Sequence, residues 1–213
     1  MFFGLDKKRQ LPDKKDALPG RQTVMPVENK HYVNDNPIKP PFPENTQQVI
    51  FALGCFWGAE RLFWQQAGVY STAVGYINGL TPNPTYDEVC TGMTGHTEAV
   101  LVVYDTDKTR LKNLLTVFWE AHDPTQGMRQ GNDTGTQYRS GIYIDNDEDK
   151  DIVESSKREY QSKLNDAGFS AITTEIVLSS QFYYAEQYHQ QYLAKNPAGY
   201  CGLAGTGVTC SSE

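Results

Sequence analysis

Four cysteines are the residues of this chain with the most distinctive chemistry, and Cys55 has the most informative setting. It lies in the stretch GCFWG, between the apolar run VIFAL and a segment with helical spacing, AERLFWQQAG. At the first turn of a helix, unpaired backbone N–H groups and the helix dipole stabilise a thiolate and lower the thiol pKa. The alternative is a buried, inert side chain, because free cysteine is among the most buried residue types. The local sequence leaves both interpretations open.

Two further cysteines, Cys201 and Cys210, lie in the glycine-rich stretch GYCGLAGTGVTC. Glycine lets a chain bend, and thiol–disulfide exchange requires one thiolate to reach another sulfur in line. This pair therefore favours a disulfide relay, and the alternative is a frayed end that happens to hold thiols. Cys90 follows helical-looking residues and is expected to be packed. The chain has no Cys-x-x-Cys pair and no histidine two to five residues from a cysteine, which argues against a metal site.

Glu98 is a candidate general acid because it stands beside an apolar run. The segment GHTEAVLVV places this carboxyl at the start of a predicted strand. Partial desolvation raises a carboxyl pKa and keeps a proton on the group, which is the state that a general acid needs. A glutamate simply exposed at a strand end is the more common case, so position alone does not decide between the two.

Polar residues in two loops are further candidates for a site. The loop GNDTGTQYRS contains Asp133 and Tyr138, and Tyr86 follows two prolines in TPNPTYDEV. Loops of such polar density often carry binding or catalytic groups, although each tyrosine alone is more often structural. Three histidines have no partner pattern in the sequence and are expected to be structural: His96, His122 and His189.

Hydrophobic periodicity predicts the elements that position these residues. Strands are predicted in QQVIFALG, STAVGYING, TEAVLVVYD, QYRSGIYID and ITTEIVLS. One helix is predicted from Phe56 to Gly68 and a second from Leu111 to about His122, before Pro124. A third helix is expected in DEDKDIVESSKREYQSKLNDAG, with Ile152 on its buried stripe, and a short final one in YAEQYHQQYLAKN.

The order β-α-β-β-α-β predicts an α+β fold with a two-layer split-βαβ (ferredoxin-like) core. Residues 47–198 form the predicted catalytic domain, and 199–213 a flexible coil tail that carries the redox cysteines. Residues 1–46 hold seven of the eleven prolines and are predicted to form an extended arm. This arm either docks on the domain through single apolar residues or is a loose tail. The residues that could dock are Leu11, Leu18, Val24 and Val27.

Composition limits the classes of function. A net charge of −7 and a pI of about 5.1 fit nucleic acid and anionic membranes poorly. No apolar stretch approaches the roughly 20 residues that a membrane helix requires. The start, MFFGLDKKRQ, lacks the apolar core of a secretory signal, so a cytoplasmic location is expected. In that reducing compartment the four cysteines are not expected to form structural disulfides.

Five motifs in this order extend the argument: GCFWG, GHTEAV, GTQYRS, HQQYL and GYCG. Together they resemble the peptide methionine sulfoxide reductases of the A type, from about Phe51 to Cys210. The N-terminal arm also resembles that of the bacterial members. The resemblance implies an enzyme of protein repair that reduces the S epimer of methionine sulfoxide, free or in oxidised proteins. It implies no bound cofactor, thioredoxin as reductant and a monomer.

The resemblance also implies a role for each candidate in the substrate pocket. Cys55 would attack the sulfoxide sulfur, while Glu98 protonates the sulfoxide oxygen. Phe56 and Trp57 would hold the methyl group in an apolar pocket. The remaining candidates would contact the oxygen or bound water: Tyr86, Tyr138 and Asp133.

A disulfide relay is implied for the cysteines. After methionine leaves, Cys55 would be a sulfenic acid. Cys201 would attack it to form a disulfide, and Cys210 would exchange to give a Cys201–Cys210 disulfide that thioredoxin reduces.

Two other classes of function remain possible from the residues. A cysteine hydrolase would use Cys55 against a carbonyl with a histidine as base, but it has no use for the two C-terminal cysteines. A binding module would hold exposed methionines in a groove formed by Phe56 and Trp57. It would keep its activity when Cys55 is replaced, whereas a reductase would lose it.

Overall fold

The computed structural model describes residues 9–210. The first eight residues of the predicted arm and the last three of the predicted tail lie outside the described residues. The elements in chain order are β1 (Thr46–Leu53), α1 (Phe56–Trp64), β2 (Val69–Ile77), α2 (Tyr86–Cys90), β3 (Thr97–Asp105), α3 (Leu111–Ala121), β4 (Arg129–Gln130), β5 (Asp133–Thr134), a 3₁₀ turn (Thr136–Tyr138), β6 (Ser140–Ile144), α4 (Asp147–Asp166), β7 (Glu175–Leu178), β8 (Tyr183–Tyr184) and α5 (Tyr192–Lys195).

A six-stranded mixed sheet organises the domain, in the order β7-β6-β1-β3-β2-β8. Neighbouring strands are antiparallel except β6 and β7, which are parallel. β4 and β5 form a separate small hairpin. The prediction of a fold that combines helices with a sheet is confirmed, and all five predicted strands occur. Among the described residues, no helix is long and apolar enough to cross a membrane.

The main core lies between the sheet and α1, α3 and α4. Phe51 on β1 stacks on Phe63 of α1 at 4.7 Å and on Phe118 of α3 at 5.2 Å, measured between ring centroids. All apolar positions predicted for the inner stripe of α3 are buried: Leu111, Leu114, Leu115, Phe118 and Trp119. These packed aromatic rings hold α1 against β1, and Cys55 lies in the turn that joins the two.

The predicted stripe of α4 is wrong at one position. Ile152 is 40 % exposed, and Val153 is buried instead. Val153 lies seven residues before Tyr160, which is also buried, so the two share one face of the helix. The indole N–H of Trp119 donates to Ser156 on the same face at 2.8 Å.

The opposite face of the sheet is covered in part by the N-terminal arm. Val27 and Ile38 are buried there against sheet residues such as Ile50 and Leu101. Arg21 also pairs with Glu88 of α2 at 2.6 Å. Two of the apolar residues that were candidates for docking are exposed instead, Leu11 at 50 % and Val24 at 69 %. The described part of the arm is therefore seated on the domain.

The predicted final helix is shorter than its sequence pattern. Only Tyr192–Lys195 is helical, and turns precede it. Gln191 adopts a left-handed backbone conformation, with φ 48° and ψ 43°, which interrupts a right-handed helix.

Candidate active site

Cys55 lies in the turn between β1 and α1, directly before the first helical residue. Gly54 makes this turn with φ +97°, and a Cβ on it would lie 2.8 Å from the side chain of Gln130. A side chain at this position would be strained by its backbone and by Gln130. The strand-to-helix turn predicted from the sequence is confirmed.

Of the two interpretations that the sequence left open for Cys55, a lowered pKa at the helix start does not hold, because the pKa of this thiol is raised. Burial raises the pKa of this thiol, and the nearby carboxyl of Glu98 raises it further. The backbone N–H groups of Trp57 and Gly58 act in the expected direction, but they do not outweigh the loss of solvation. The thiol therefore keeps its proton at neutral pH.

Glu98 is buried on β3, opposite Tyr76 on β2. Its Oε2 accepts a hydrogen bond from the backbone N–H of Phe56 at 3.0 Å. Its Oε1 has no hydrogen-bond partner among the described residues. Burial raises the pKa of Glu98 to about 8; the charge of Asp133 adds to the effect, and the Phe56 N–H opposes it. A protonated carboxyl with one unused oxygen thus lies next to the start of α1.

Tyr86 and Tyr138 reach the same region from two short elements. Tyr86 is the first residue of α2, which contains the helical-looking residues before Cys90 and begins with a capping box formed by Thr85 and Glu88. Tyr138 ends the 3₁₀ turn. Burial, followed by the charge of Glu98, raises the pKa of both phenols. Both hydroxyls therefore remain donors near the Glu98 carboxyl.

Asp133 lies in the small hairpin of β4 and β5 and is half-buried. The hydroxyl of Tyr200 donates to its Oδ2 at 3.3 Å. Burial raises the pKa of Asp133, and this hydrogen bond opposes the rise. Because its charge also raises the pKa of Cys55 and of Glu98, Asp133 belongs to the same cluster of acidic groups.

Phe56 is buried within a cluster of aromatic rings. Its ring centroid lies 5.1 Å from that of His189, 5.9 Å from Tyr76 and 6.4 Å from Tyr86. The contact between Phe56 and Tyr86 thus connects the start of α1, directly after Cys55, with the phenols near Glu98.

Trp57 is half-buried and is held on two sides. Its indole N–H donates to Nδ1 of His189 at 2.9 Å, and its ring stacks on Tyr192 with centroids 3.9 Å apart. We call these three residues the Trp57 wall. Burial lowers the pKa of His189 to about 4, which keeps Nδ1 free to accept. The motif HQQYL contains His189 and Tyr192, but no local pattern links either residue to Trp57, because 132 residues separate His189 from its partner.

Cys201 is exposed and lies against the first turn of α1. A Cβ on Gly58 would come within 2.9 Å of the sulfur of Cys201 and 3.2 Å of Leu203. The glycine at this position therefore gives room to the C-terminal segment that carries Cys201. Cys55 and Cys201 are both thiols.

Cys210 helps to line a cavity of about 470 Å³ together with residues of α3 and α4, among them Lys112, Thr116 and Tyr160. Its backbone N–H donates to Glu120 at 2.6 Å. Burial, with Glu120 second, raises the pKa of its thiol. The segment before it is held by the hydroxyl of Tyr160, which donates to the carbonyl of Val208 at 3.1 Å. The tail expected to be flexible is thus docked, up to residue 210.

Within residues 9–210, no three histidine, cysteine, aspartate or glutamate residues are grouped so that they could hold a metal ion. The arrangement offers instead a thiol, a protonated carboxyl, phenol donors and an aromatic surface.

Comparisons with known proteins agree on one family. The family model for peptide methionine sulfoxide reductase matches residues 47–209. The peptide methionine sulfoxide reductase MsrA 2 of Nostoc sp. is 64 % identical over 209 residues, which cover 98 % of this chain and 94 % of the relative. The solved structure of methionine sulfoxide reductase A of Corynebacterium diphtheriae is 46 % identical with a TM-score of 0.82, and the match covers 94 % and 98 % of the two chains. Mxr1 from Saccharomyces cerevisiae in reduced form is 37 % identical with a TM-score of 0.71, over 76 % and 91 %.

Proposed function

We propose, from the premise that the chain belongs to the peptide methionine sulfoxide reductase family, how its own residues reduce methionine sulfoxide. Cys55 is the nucleophile and the S epimer of the sulfoxide, free or in oxidised proteins, is the substrate. The observation that carries this proposal is the pairing of Glu98 with the start of α1. A buried carboxyl with a pKa of about 8 and an unused oxygen is held by the N–H of the residue after Cys55.

The first step transfers oxygen from the substrate to Cys55. Glu98 gives its proton to the sulfoxide oxygen, which makes the sulfoxide sulfur more electrophilic, and the Glu98 carboxylate then accepts the thiol proton of Cys55 as the Cys55 sulfur attacks. The phenols of Tyr86 and Tyr138 donate to that oxygen, and Asp133 contributes through substrate or water. Phe56 and Trp57 hold the methyl group.

The second step returns Cys55 to its thiol form and moves the oxidation to the C-terminal cysteines. Methionine leaves, and the oxygen stays on Cys55 as a sulfenic acid. The thiol of Cys201 attacks that sulfur, forms the Cys55–Cys201 disulfide and releases water. Cys210 then attacks Cys201, frees Cys55 and leaves a Cys201–Cys210 disulfide. This exchange requires Cys210 to leave its cavity beside α3.

Thioredoxin is the proposed reductant of the final disulfide. A crystal structure shows the yeast protein Mxr1 in complex with Trx2. For this chain, the support is the position of Cys201 on an exposed segment. A dithiol reductant reaches such a sulfur without entering the pocket.

The decisive experiment follows the cysteines by mass spectrometry after methionine-S-sulfoxide is added without reductant. With one equivalent of the sulfoxide per chain, we expect one methionine released for each chain and the loss of two hydrogens. With thioredoxin present, Cys201→Ser should complete a single turnover and then stop. Unchanged multiple turnover by this variant would rule out the relay, and equal reduction of the R epimer would rule out the substrate assignment.

The proposal also covers the topology of the core, the division of the chain into segments, the oligomeric state and the cellular location. The antiparallel order β6-β1-β3-β2, with α1 and α3 as crossovers, supports a ferredoxin-like core. Residues 1–46, 47–198 and 199–213 are proposed as arm, catalytic domain and redox tail. We expect a monomer in the cytoplasm, which sedimentation of the purified chain and fractionation of cells test.

A further inference from the structure

The motif HQQYL contains a segment whose side chains are fixed in four different ways. His189 and Tyr192 hold the indole of Trp57. Gln190 bridges the backbone of Val74 on β2, at 3.0 Å to its N–H and 2.9 Å to its carbonyl. Gln191 is bound to Glu60, which lies on α1 one turn after Phe56. The last contact has no role in the chemistry described above.

Glu60 is completely buried and accepts three hydrogen bonds. Its Oε2 receives the backbone N–H of Gln191 at 2.7 Å, and its Oε1 receives the side-chain amide of Gln191 at 2.6 Å and the hydroxyl of Thr72 at 3.1 Å. Burial raises the pKa of Glu60 to about 7, and the hydrogen bonds from Gln191 oppose that rise. A buried carboxyl is costly unless donors surround it, so these contacts determine whether the group is tolerated.

The two bonds to Gln191 stabilise an unfavourable backbone conformation. Left-handed φ and ψ at a residue other than glycine are sterically unfavourable and persist only where neighbouring contacts stabilise them. In the chain, Gln191 stands between His189, which accepts from the indole N–H, and Tyr192, which stacks on the indole ring. Because Glu60 binds both the N–H and the side chain of Gln191, it ties the backbone turn to α1, the helix that carries Trp57.

The N-terminal arm completes this set of contacts. The side-chain oxygen of Gln191 accepts from the backbone N–H of Tyr32 at 3.0 Å. His31 is buried, with Nε2 3.0 Å from the hydroxyl of Thr72 and Nδ1 accepting from the N–H of Val33. Since Thr72 donates to Glu60, Nε2 of His31 carries the proton and donates to Thr72. Burial, with Lys195 second, lowers the pKa of His31 to about 4, which fits this neutral form.

From these contacts we propose that Glu60 is a positioning residue for the Trp57 wall, and that His31 and Tyr32 of the arm support it. The inference rests on the proposed role of Trp57 in holding the substrate. It gives the arm a function in the active site, although the arm covers the other face of the sheet.

The experiment combines steady-state kinetics with ¹⁹F NMR of protein labelled with 5-fluorotryptophan. The chain has three tryptophans, and Trp57→Phe assigns the signal of interest. Glu60→Leu keeps the volume and removes the acceptors. We expect KM for methionine sulfoxide to rise about tenfold with kcat within about twofold, as for an interaction used in binding. The Trp57 signal should shift or broaden while that of Trp119 stays.

A reciprocal exchange tests the contact itself. Glu60→Gln places an amide against the donors of Gln191, so KM should rise. Adding Gln191→Glu restores a donor–acceptor pair between the two side chains and should return KM toward the wild-type value. A double variant with KM no lower than that of Glu60→Gln would contradict the proposal.

Two further variants separate positioning from general stability. Val153→Ala, in the core under α4, is the control for lost stability and should leave KM and the Trp57 signal unchanged. If it raises KM as much as an equally destabilised Glu60 variant, the positioning role is wrong. Where Glu60→Leu does not fold, His31→Ala decides: an unchanged Trp57 signal and KM would overturn the proposal. The NMR signal reports the wall even if the wild-type chain were to fail as a reductase.

Discussion

Replacing Glu98 with glutamine keeps the size of the side chain and removes its acidic proton. We expect Glu98→Gln to slow sulfoxide reduction by about 10²- to 10⁴-fold, the usual contribution of a general acid. KM should change little, because the amide still offers a donor to the sulfoxide oxygen. The wild-type rate should fall as the pH rises through about 8, where Glu98 loses its proton, and this descending limb should be absent in the variant.

The same substitution has a calculable effect on stability. The pKa of Glu98 is about 8 in the folded protein against an ordinary value of 4.5. Folding therefore favours the protonated form of Glu98. The contribution of this group to the free energy of unfolding is fully present below pH 4.5 and is lost as the pH rises through about 8. The difference corresponds to about 5 kcal/mol at about 1.4 kcal/mol per pH unit, as an upper limit. Glutamine does not titrate, so the free energy of unfolding of the variant should rise relative to that of the wild type between pH 5 and pH 9.

The assay is urea unfolding followed by tryptophan fluorescence at pH 5, 7 and 9, together with turnover over the same range. Glu148→Gln, an exposed position in the first turn of α4, is the matched control and should show neither effect. The reasoning is refuted if the difference in unfolding free energy between Glu98→Gln and wild type is the same at pH 5 and pH 9. An unaltered rate would show that another group supplies the proton.

Three further substitutions test single contacts. Cys55→Ser should abolish reduction while the protein still binds a methionine sulfoxide peptide, as calorimetry can measure; residual turnover would assign the attack to another thiol. Gly58→Ala puts a methyl 2.9 Å from the sulfur of Cys201. In quenched-flow mass analysis, the first methionine should be released at the wild-type rate, while the Cys55–Cys201 disulfide should form about tenfold more slowly. Disulfide formation at the wild-type rate would show that the glycine is not needed to give Cys201 room. Glu120→Ala removes the acceptor of the Cys210 N–H, so Cys210 should react faster with a thiol reagent, and unchanged labelling would show that the contact does not hold the tail.

Periodicity predicts the elements that carry Cys55 and Glu98, because those elements are long and strongly patterned. The raised pKa of Glu98 was also predictable, because a carboxyl in a nine-residue, mostly apolar strand loses solvation when that strand is buried in the sheet. The helix α2 and the β4–β5 hairpin are too short for a periodic signal. These short elements position Tyr86 and Asp133. The sequence therefore predicted which residues form the polar side of the pocket, but not how they are arranged.

Contacts between distant parts of the chain explain the remaining differences. The pKa of Cys55 follows its burial and the presence of Glu98, and neither can be deduced from a helix start alone. The C-terminal segment is rich in glycine, which indicates freedom to bend, but the acceptor at Glu120 that docks Cys210 lies ninety residues away. A local pattern describes what a segment can adopt, whereas its partners select among those conformations.

A thiol with a raised pKa suits this chemistry better than the thiolate predicted from the helix start. A neutral Cys55 resists adventitious oxidation, because the thiolate is the reactive form. Oxygen transfer needs no net proton, because the proton that Glu98 gives to the oxygen is replaced by the proton of the thiol. In the proposed mechanism, Glu98 gives a proton to the sulfoxide oxygen and becomes the acceptor for the proton of Cys55. The carboxyl of Glu98 raises the pKa of Cys55, so the nucleophile is formed only when a substrate oxygen takes the proton of Glu98 and the carboxylate can accept the proton of the thiol.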